Sequence, residues 1–174
     1  MKKTLLEFLK TMVIAIAIAL LITTFFKPTL VKGYSMYPTI EPNNYLIINK
    51  IPYMQRTPNY GDIIVFKAHI ANEGGEEKDL IKRVIGLPGD KIQVKGDIVY
   101  RNGEALVEPY VYGGATPGDM AQVVVSEGHL FVMGDNRPVS LDSRDSSLGE
   151  IAINSVLGQA AIRLYPFDEI GTVQ

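Results

Sequence analysis

The uncharged stretch Met12-Val-Ile-Ala-Ile-Ala-Ile-Ala-Leu-Leu-Ile-Thr-Thr-Phe-Phe26 divides this 174-residue chain into two unequal parts. As a helix it spans about 22 Å, and extended back to Leu5 it reaches about 33 Å, enough for the roughly 30 Å hydrocarbon core of a bilayer. It is apolar all round, unlike a core helix with one buried stripe. Lys2 and Lys3 would suit a removable secretion signal, but no small-x-small cleavage site follows Phe26. The sequence therefore favours an uncleaved membrane anchor over a removable signal.

The anchor predicts a three-part organisation. Residues 1–10 form a short N-terminus, 11–27 the transmembrane signal anchor, and 28–174 one domain of ordinary size. Lysines at positions 2, 3 and 10 precede the span, whereas two follow it at 27 and 32. This small excess favours a cytoplasmic N-terminus. We therefore predict a single-pass protein of the plasma membrane whose domain lies outside the cytoplasm.

Composition excludes several kinds of function. The 17 basic and 19 acidic residues are interspersed, so no basic face predicts a nucleic-acid partner. Cysteine is absent, which removes disulfides, thiolate nucleophiles and cysteine-bound zinc. The two histidines, His69 and His129, lie in no motif. We therefore expect neither a metal site nor a cofactor.

The segment after Pro28 is mostly strand-like. Short runs rich in β-branched residues alternate with Gly, Pro and Asn, a pattern typical of packed or closed antiparallel sheets. Asn102-Gly103 predicts a type I′ hairpin turn. We expect a solvated hairpin tip at 71–78, an exposed loop at 112–121 and a single helical turn near 150–154. The predicted strands are 45–50, 62–67, 80–85, 91–94, 97–100, 105–107, 122–125, 129–133 and 156–165.

Ser35, in Lys32-Gly-Tyr-Ser-Met-Tyr-Pro-Thr39, is the candidate nucleophile, nine positions after the apolar run. The stretch forms neither a G-x-S-x-G nor an S-x-x-K motif. A lysine base must be neutral, which at a pKa near 10.4 costs about 4.6 kcal/mol at pH 7, so burial is needed. Strand alternation places Lys82 between apolar Leu80 and Val84, with Arg83 on the opposite face. Residue pattern alone favours a different interpretation, an exposed edge-strand lysine.

Three stretches together resemble the bacterial type I signal peptidases, which are membrane-bound serine proteases with a Ser–Lys dyad. They are Lys32–Thr39, Asp79-Leu-Ile-Lys-Arg-Val-Ile-Gly-Leu-Pro-Gly-Asp90 and Gly134-Asp-Asn-Arg-Pro-Val-Ser-Leu-Asp-Ser-Arg144. The resemblance extends to about Phe167. It implies a mostly β fold, namely one transmembrane helix followed by a compact domain of coiled antiparallel sheets, of the kind shared with self-cleaving repressors.

The resemblance also implies roles for individual residues. Ser35 corresponds to the nucleophile and Lys82 to the general base. Ser140 corresponds to the serine that orients the lysine, and the supporting charged positions are Asp142, Arg144 and Arg83. We expect Asp142 to form a structural ion pair with Arg83 or Arg144. Without the resemblance, 135–144 reads as a polar turn, and that interpretation stays open for Asp135, Asn136 and Arg137.

The oxyanion hole is only partly predictable. The backbone N–H of Ser35 is the first expected donor. Some family members carry a serine donor two residues earlier, but this chain has Gly33, so a backbone N–H or water must replace it. Met36 and Leu30 could line substrate pockets or a lipid-facing rim.

The resulting hypothesis is removal of signal peptides from secretory preproteins after an Ala-x-Ala-like motif, through an acyl-enzyme. Expected partners are those preproteins, membrane lipid and the protein-translocation machinery. Two alternatives are a conjugation-type processing peptidase of the same clan and a catalytically inactive, anchored preprotein-binding domain. A self-cleaving repressor would need a DNA-binding helix-turn-helix where the anchor lies.

Overall fold

The computed structural model describes residues 2–69 and 77–173 and shows a long helix followed by antiparallel strands. Every described strand pair is antiparallel, so the predicted mostly β class is confirmed. The helix is α1 (Lys2–Phe25). The strands are β1 (Phe26–Leu30), β2 (Tyr45–Asn49), β3 (Ile63–His69), β4 (Glu77–Gly86), β5 (Lys91–Lys95), β6 (Ile98–Arg101), β7 (Glu104–Ala105), β8 (Met120–Val124), β9 (His129–Met133), β10 (Ile151–Ala152), β11 (Val156–Tyr165) and β12 (Gly171–Thr172).

Helix α1 is long and apolar enough to cross a membrane. The candidate span is Thr4–Phe25, and no part of its apolar window is buried in the protein, so it is not a core helix. The helix ends at Phe25, and Phe26 and Lys27, which we expected to lie in the span, begin β1 instead. The apolar helix therefore passes directly into the sheet.

The large sheet has the strand order β1-β2-β11-β3-β4-β9-β10, with β12 paired to β11. Strand β1 is terminal and, among the strands that the structure describes, pairs with β2 alone. Strand β4 pairs with β3 through residues 77–83, whereas its pairing with β9 begins at Arg83. Residues 79–82 therefore have one edge that no described strand covers. A cleft lies between this edge and residues 29–33, so the sheet curls until two open edges face each other.

Three apolar clusters hold the domain together. Along β3, Ile63 and Val65 point into one cluster while Ile64 and Phe66 point into the next, as strand alternation requires. The first cluster packs against the concave face of the large sheet and includes Met36, next to Ser35. The third packs the small sheet, ordered β7-β6-β5-β8, against the large one. Strand β4 is consequently buried on both faces from Lys82 onward.

Most predicted strands lie close to their expected positions, and the exceptions have physical causes. Strand β1 was not predicted, because Lys27 and Pro28 interrupt its apolar pattern; a terminal strand tolerates Pro because one edge needs no donor. The Asn102-Gly103 turn has positive φ at both residues, as type I′ requires, but its return strand is 104–105, not 105–107.

The loop and turn predictions had mixed outcomes. The expected exposed loop 112–121 contains a buried Thr116 and the start of β8, so that prediction was wrong in part. The expected helical turn is present as a 3₁₀ turn at Ile153–Ser155. The expected hairpin tip lies mostly outside the described residues, and its last two positions, 77 and 78, belong to β4.

Candidate active site

Ser35 and Lys82 lie side by side at one end of the cleft. Ser35 is in the loop between β1 and β2, and Lys82 is in β4. The Lys82 Nζ atom is 2.8 Å from Ser35 Oγ and also donates to the Ile81 carbonyl at 3.0 Å. Lys82 is only 3% exposed, so it is not the solvent-exposed edge lysine that the residue pattern alone predicted. This separation is within reach for direct proton transfer.

Burial prepares Lys82 to act as a base. Removal from water disfavours the ammonium form and lowers the pKa of Lys82 to about 8. The negative charges of Asp142 and Asp135 act in the opposite direction, but less strongly. A pKa of about 8 leaves about one tenth of the lysine neutral at pH 7, and the cost of neutrality falls to about 1.4 kcal/mol.

The loop carrying Ser35 is fixed on both sides of the nucleophile. Met36 is 2% exposed, packs in the first apolar cluster, and its carbonyl accepts from Ile40 N at 2.8 Å. The Ser35 carbonyl accepts from Asn136 N at 3.0 Å. Among the described residues the Ser35 N–H donates to no protein acceptor. This amide is therefore available to an oxyanion.

Gly33 lines the cleft just before the nucleophile. A Cβ atom at this position would meet nothing within 4 Å. Glycine at this position therefore leaves open space beside Ser35.

Asp142 pairs with Arg144, one of the two arginines we considered for it. Arg144 donates from Nε to Oδ1 at 2.8 Å and from Nη2 to Oδ2 at 2.9 Å. The Gly134 N–H also donates to Asp142 Oδ2, at 3.1 Å. Because the Asp142 side chain is completely buried and multiply bonded, it is a fixed negative charge near Lys82.

Arg83, the other arginine, forms a buried ion pair with Asp135. Its Nε and Nη2 atoms donate to the two carboxylate oxygens at 2.8 and 2.7 Å, and its guanidinium lies 3.9 Å from the centre of the Tyr110 ring. Thr39 Oγ1 donates to the same carboxylate at 2.5 Å. This pair joins β4, the loop after β9 and the nucleophile loop. Sequence reasoning missed it, and its only signal was an arginine next to Lys82.

The turn that begins at Asp135 is polar and its charges bond to backbone groups, as the polar-turn interpretation expects, but it is buried rather than exposed. Asp135 is fully buried, and Asn136 and Arg137 are at most 9% exposed. Arg137 makes a two-bond ion pair with Glu108 at 2.9 and 2.7 Å, and it also donates to Thr116 Oγ1 and to the Gly134 carbonyl. This buried turn contacts the nucleophile loop, because the Asn136 N–H donates to the Ser35 carbonyl.

Ser140, in the same buried segment, forms no hydrogen bond to Lys82. Its Oγ atom is buried and has no hydrogen-bond partner in the described part of the chain. A Cβ atom on Gly134 would overlap both the Ser140 side chain and the Ser35 carbonyl oxygen. Glycine at 134 is therefore what allows Ser140 and the nucleophile loop to approach each other.

The cleft itself has a volume of about 450 Å³. Leu30 and Met36 line it together with Ser35 and Lys82. His129 lines a different cavity, with Tyr53. Within residues 2–69 and 77–173, no cluster of His, Cys, Asp and Glu has metal-binding geometry.

Comparison with known proteins places the chain in a family. It matches the family described as "Signal peptidase, peptidase S26" over residues 5–165. It is 40% identical to "Signal peptidase I" of Bacillus licheniformis, covering 97% of this chain and 93% of that protein. It is 39% identical to "Signal peptidase I T" of Bacillus subtilis (strain 168), with 96% and 89% covered. A crystal structure of a signal peptidase I from Enterococcus faecalis V583 superposes with a TM-score of 0.51 at 31% identity, covering 60% of this chain and 97% of that one. The chain therefore belongs to the peptidase S26 family of signal peptidases.

Proposed function

We propose that this protein is a membrane-anchored serine endopeptidase that removes signal peptides from secretory preproteins, with Ser35 as nucleophile and Lys82 as general base. The observation that carries the proposal is the 2.8 Å separation between Lys82 Nζ and Ser35 Oγ at a buried, cleft-lining position. A hydroxyl becomes an effective nucleophile only when a base accepts its proton, and the lowered pKa of Lys82 supplies that base.

The proposed reaction proceeds in two halves. Neutral Lys82 accepts the Ser35 proton as Oγ attacks the scissile carbonyl, and the Ser35 N–H stabilises the oxyanion. The Lys82 ammonium then protonates the departing amine, leaving an ester on Ser35. In the second half, Lys82 accepts a proton from water as the water oxygen attacks the carbonyl carbon of the ester. Lysine returns the proton to Ser35 as the ester bond breaks.

The two open sheet edges support binding of an extended peptide. A peptide strand placed in the cleft could hydrogen-bond to the backbone of 79–82 and of 29–33, as in strand addition. Both segments run toward the catalytic pair, because 33 precedes Ser35 and 79–82 ends at Lys82. Apolar Leu30 and Met36 in the lining suit small apolar substrate side chains, consistent with an Ala-x-Ala-like motif.

The anchor supports the proposed location. From Phe26 to Ser35 the chain reaches at most about 30 Å, so the nucleophile stays close to the membrane surface. This confinement raises the effective concentration of a membrane-bound preprotein. We place the N-terminus in the cytoplasm and the domain outside. Protease added to intact protoplasts should then degrade the domain, whereas protection of the domain would contradict this orientation.

Cleavage of a model preprotein in detergent tests the activity directly. We expect the full-length protein to release the mature part, and Ser35→Ala and Lys82→Ala each to abolish turnover while staying folded. Because nucleophile and base act as one unit, the double variant should lose little more than either single variant. Binding without cleavage by the unmodified protein would favour the inactive binding domain, and cleavage restricted to one special precursor would favour the conjugation-type processing peptidase.

A further inference from the structure

An ion pair bridges the two open edges of the curled sheet. Lys27 of β1 and Asp79 of β4 approach to 2.6 Å between Nζ and Oδ2. These strands are not neighbours, because β2, β11 and β3 lie between them in the sheet order. Their side chains are 41% and 35% exposed, so the pair is in contact with solvent. The contact therefore links the two edges of the cleft directly across the gap.

The ion pair lies at the end of the cleft opposite the catalytic pair, and of its two members only Asp79 belongs to the lining. Asp79 lines the cleft, and Lys82 lies three residues further along β4, which is about 10 Å in a strand. On the other edge, the chain runs from Lys27 through residues 29–33 to Ser35. Both edges therefore lead from the ion pair to the reacting atoms.

The ion-pair end is also the anchor end. Helix α1 ends at Phe25, two residues before Lys27. The apolar part of a signal peptide precedes the scissile bond and stays with the membrane, so the substrate should enter the cleft at this end. A length of about 10 Å accommodates about three extended residues. The fourth residue before the scissile bond then passes over Lys27 and Asp79.

We propose that the Lys27–Asp79 ion pair is the upstream wall of the substrate cleft and selects against charged side chains about four residues before the scissile bond. This inference rests on the proposed function. An acidic side chain there faces the Asp79 carboxylate and a basic one faces the Lys27 ammonium, and either must disrupt the pair. Uncharged side chains leave it intact. Exposed ion pairs are weak, so the expected discrimination is about three- to fivefold.

Charge reversal separates this role from general damage. The assay uses the full-length protein in detergent and internally quenched peptides with alanine at the first and third positions before the scissile bond. The fourth position, and in parallel series the fifth and sixth, carries Ala, Glu or Lys. We expect unmodified protein to give the highest kcat/KM with Ala at the fourth position. Asp79→Lys should favour Glu over Lys there, and Lys27→Glu should favour Lys over Glu. The double variant Lys27→Glu/Asp79→Lys should restore the original ranking.

Glu77→Lys is the matched control. Glu77 also belongs to β4 and to an exposed ion pair, at 2.6 Å from Lys67, but it does not line the cleft. This variant reverses a charge of the same kind on the same strand. Because the charge lies outside the cleft lining, the variant should keep the original ranking of peptides. The two lysines in the cleft lining, Lys32 and Lys82, are unchanged in all variants.

The possible outcomes distinguish this inference from the function on which it rests. If Asp79→Lys and Lys27→Glu both keep the original ranking at all three positions, the ion pair does not select substrates, although cleavage of the alanine peptide still supports the peptidase function. If the unmodified protein cleaves neither peptide nor preprotein, both proposals are overturned. Should circular dichroism show that Asp79→Lys does not fold, Lys27→Glu on the terminal strand and the double variant decide the question.

Discussion

Lys82 Nζ lies 2.8 Å from Ser35 Oγ although the two residues are separated by 47 positions in the chain. Strand β4 brings the lysine and the β1–β2 loop brings the serine to the same end of one cleft. The lysine is buried deeply enough to lower its pKa to about 8. This one contact links the fold to the proposed chemistry and leads to the first two predictions.

The pH dependence of kcat/KM should follow the deprotonation of Lys82. Only the neutral amine accepts the serine proton, so activity should rise with pH through about 8 and level off above it. Below that value it should fall about tenfold per pH unit. Titration of the isotopically labelled lysine side chain by NMR measures the same pKa independently. A folded-state pKa above 10 would contradict the general-base role.

Replacing Lys82 by Met should stabilise the protein at neutral pH while abolishing activity. The folded-state pKa, about 8, lies below the ordinary value of 10.5, so below pH 8 the folded protein carries an ammonium group that burial disfavours. The difference corresponds to stability on the order of 3 kcal/mol. Between pH 8 and 10.5 the unfolded chain binds more protons, so the stability of the unmodified protein rises relative to Lys82→Met. Chemical denaturation at pH 7 and pH 10 tests this, and an equal gap at both values would contradict it.

The sequence predicts those features of the fold and site that depend on residues close together in the chain. The strand around Lys82 and the Asn102-Gly103 turn are local patterns, and both are present in the structure. Ser35, Lys82 and Asp142 were found through three motifs. In the structure Ser35 and Lys82 line one cleft, and the charge of the buried Asp142 acts on Lys82. Their catalytic and supporting roles remain predictions.

What the sequence did not predict depends on long-range contacts. Strand β1 exists because β2 pairs with it, although Pro28 weakens its own propensity. Asp135 looks like an ordinary turn residue until Arg83, 52 positions earlier, is placed beside it. The Lys27–Asp79 contact likewise requires the sheet to curl, and no local pattern specifies that curvature.

The buried Arg83–Asp135 pair should be important for stability. Asp135→Ala leaves the Arg83 guanidinium buried without its carboxylate and removes the acceptor of Thr39. Breaking one side of a buried pair typically costs 3–5 kcal/mol, so we expect a loss of about that size in denaturant unfolding. Glu77→Gln, which breaks an exposed pair with Lys67, should cost much less, because solvent screens exposed charges. Similar losses in the two variants would show that the buried pair has no special role.

Ser140→Ala separates a catalytic positioning role from a structural one. The Ser140 hydroxyl is buried without a hydrogen-bond partner among the described residues, so its removal should cost no stability and should leave the melting temperature unchanged or slightly higher. If this serine orients the Lys82 amine during turnover, as the family resemblance implies, kcat should nevertheless fall by about tenfold or more, and Ser140→Thr should restore part of it. Parallel thermal denaturation and peptide cleavage measure the two effects. A variant with full activity would remove Ser140 from the catalytic assembly, whereas a large loss of stability would show that the hydroxyl is hydrogen-bonded in solution.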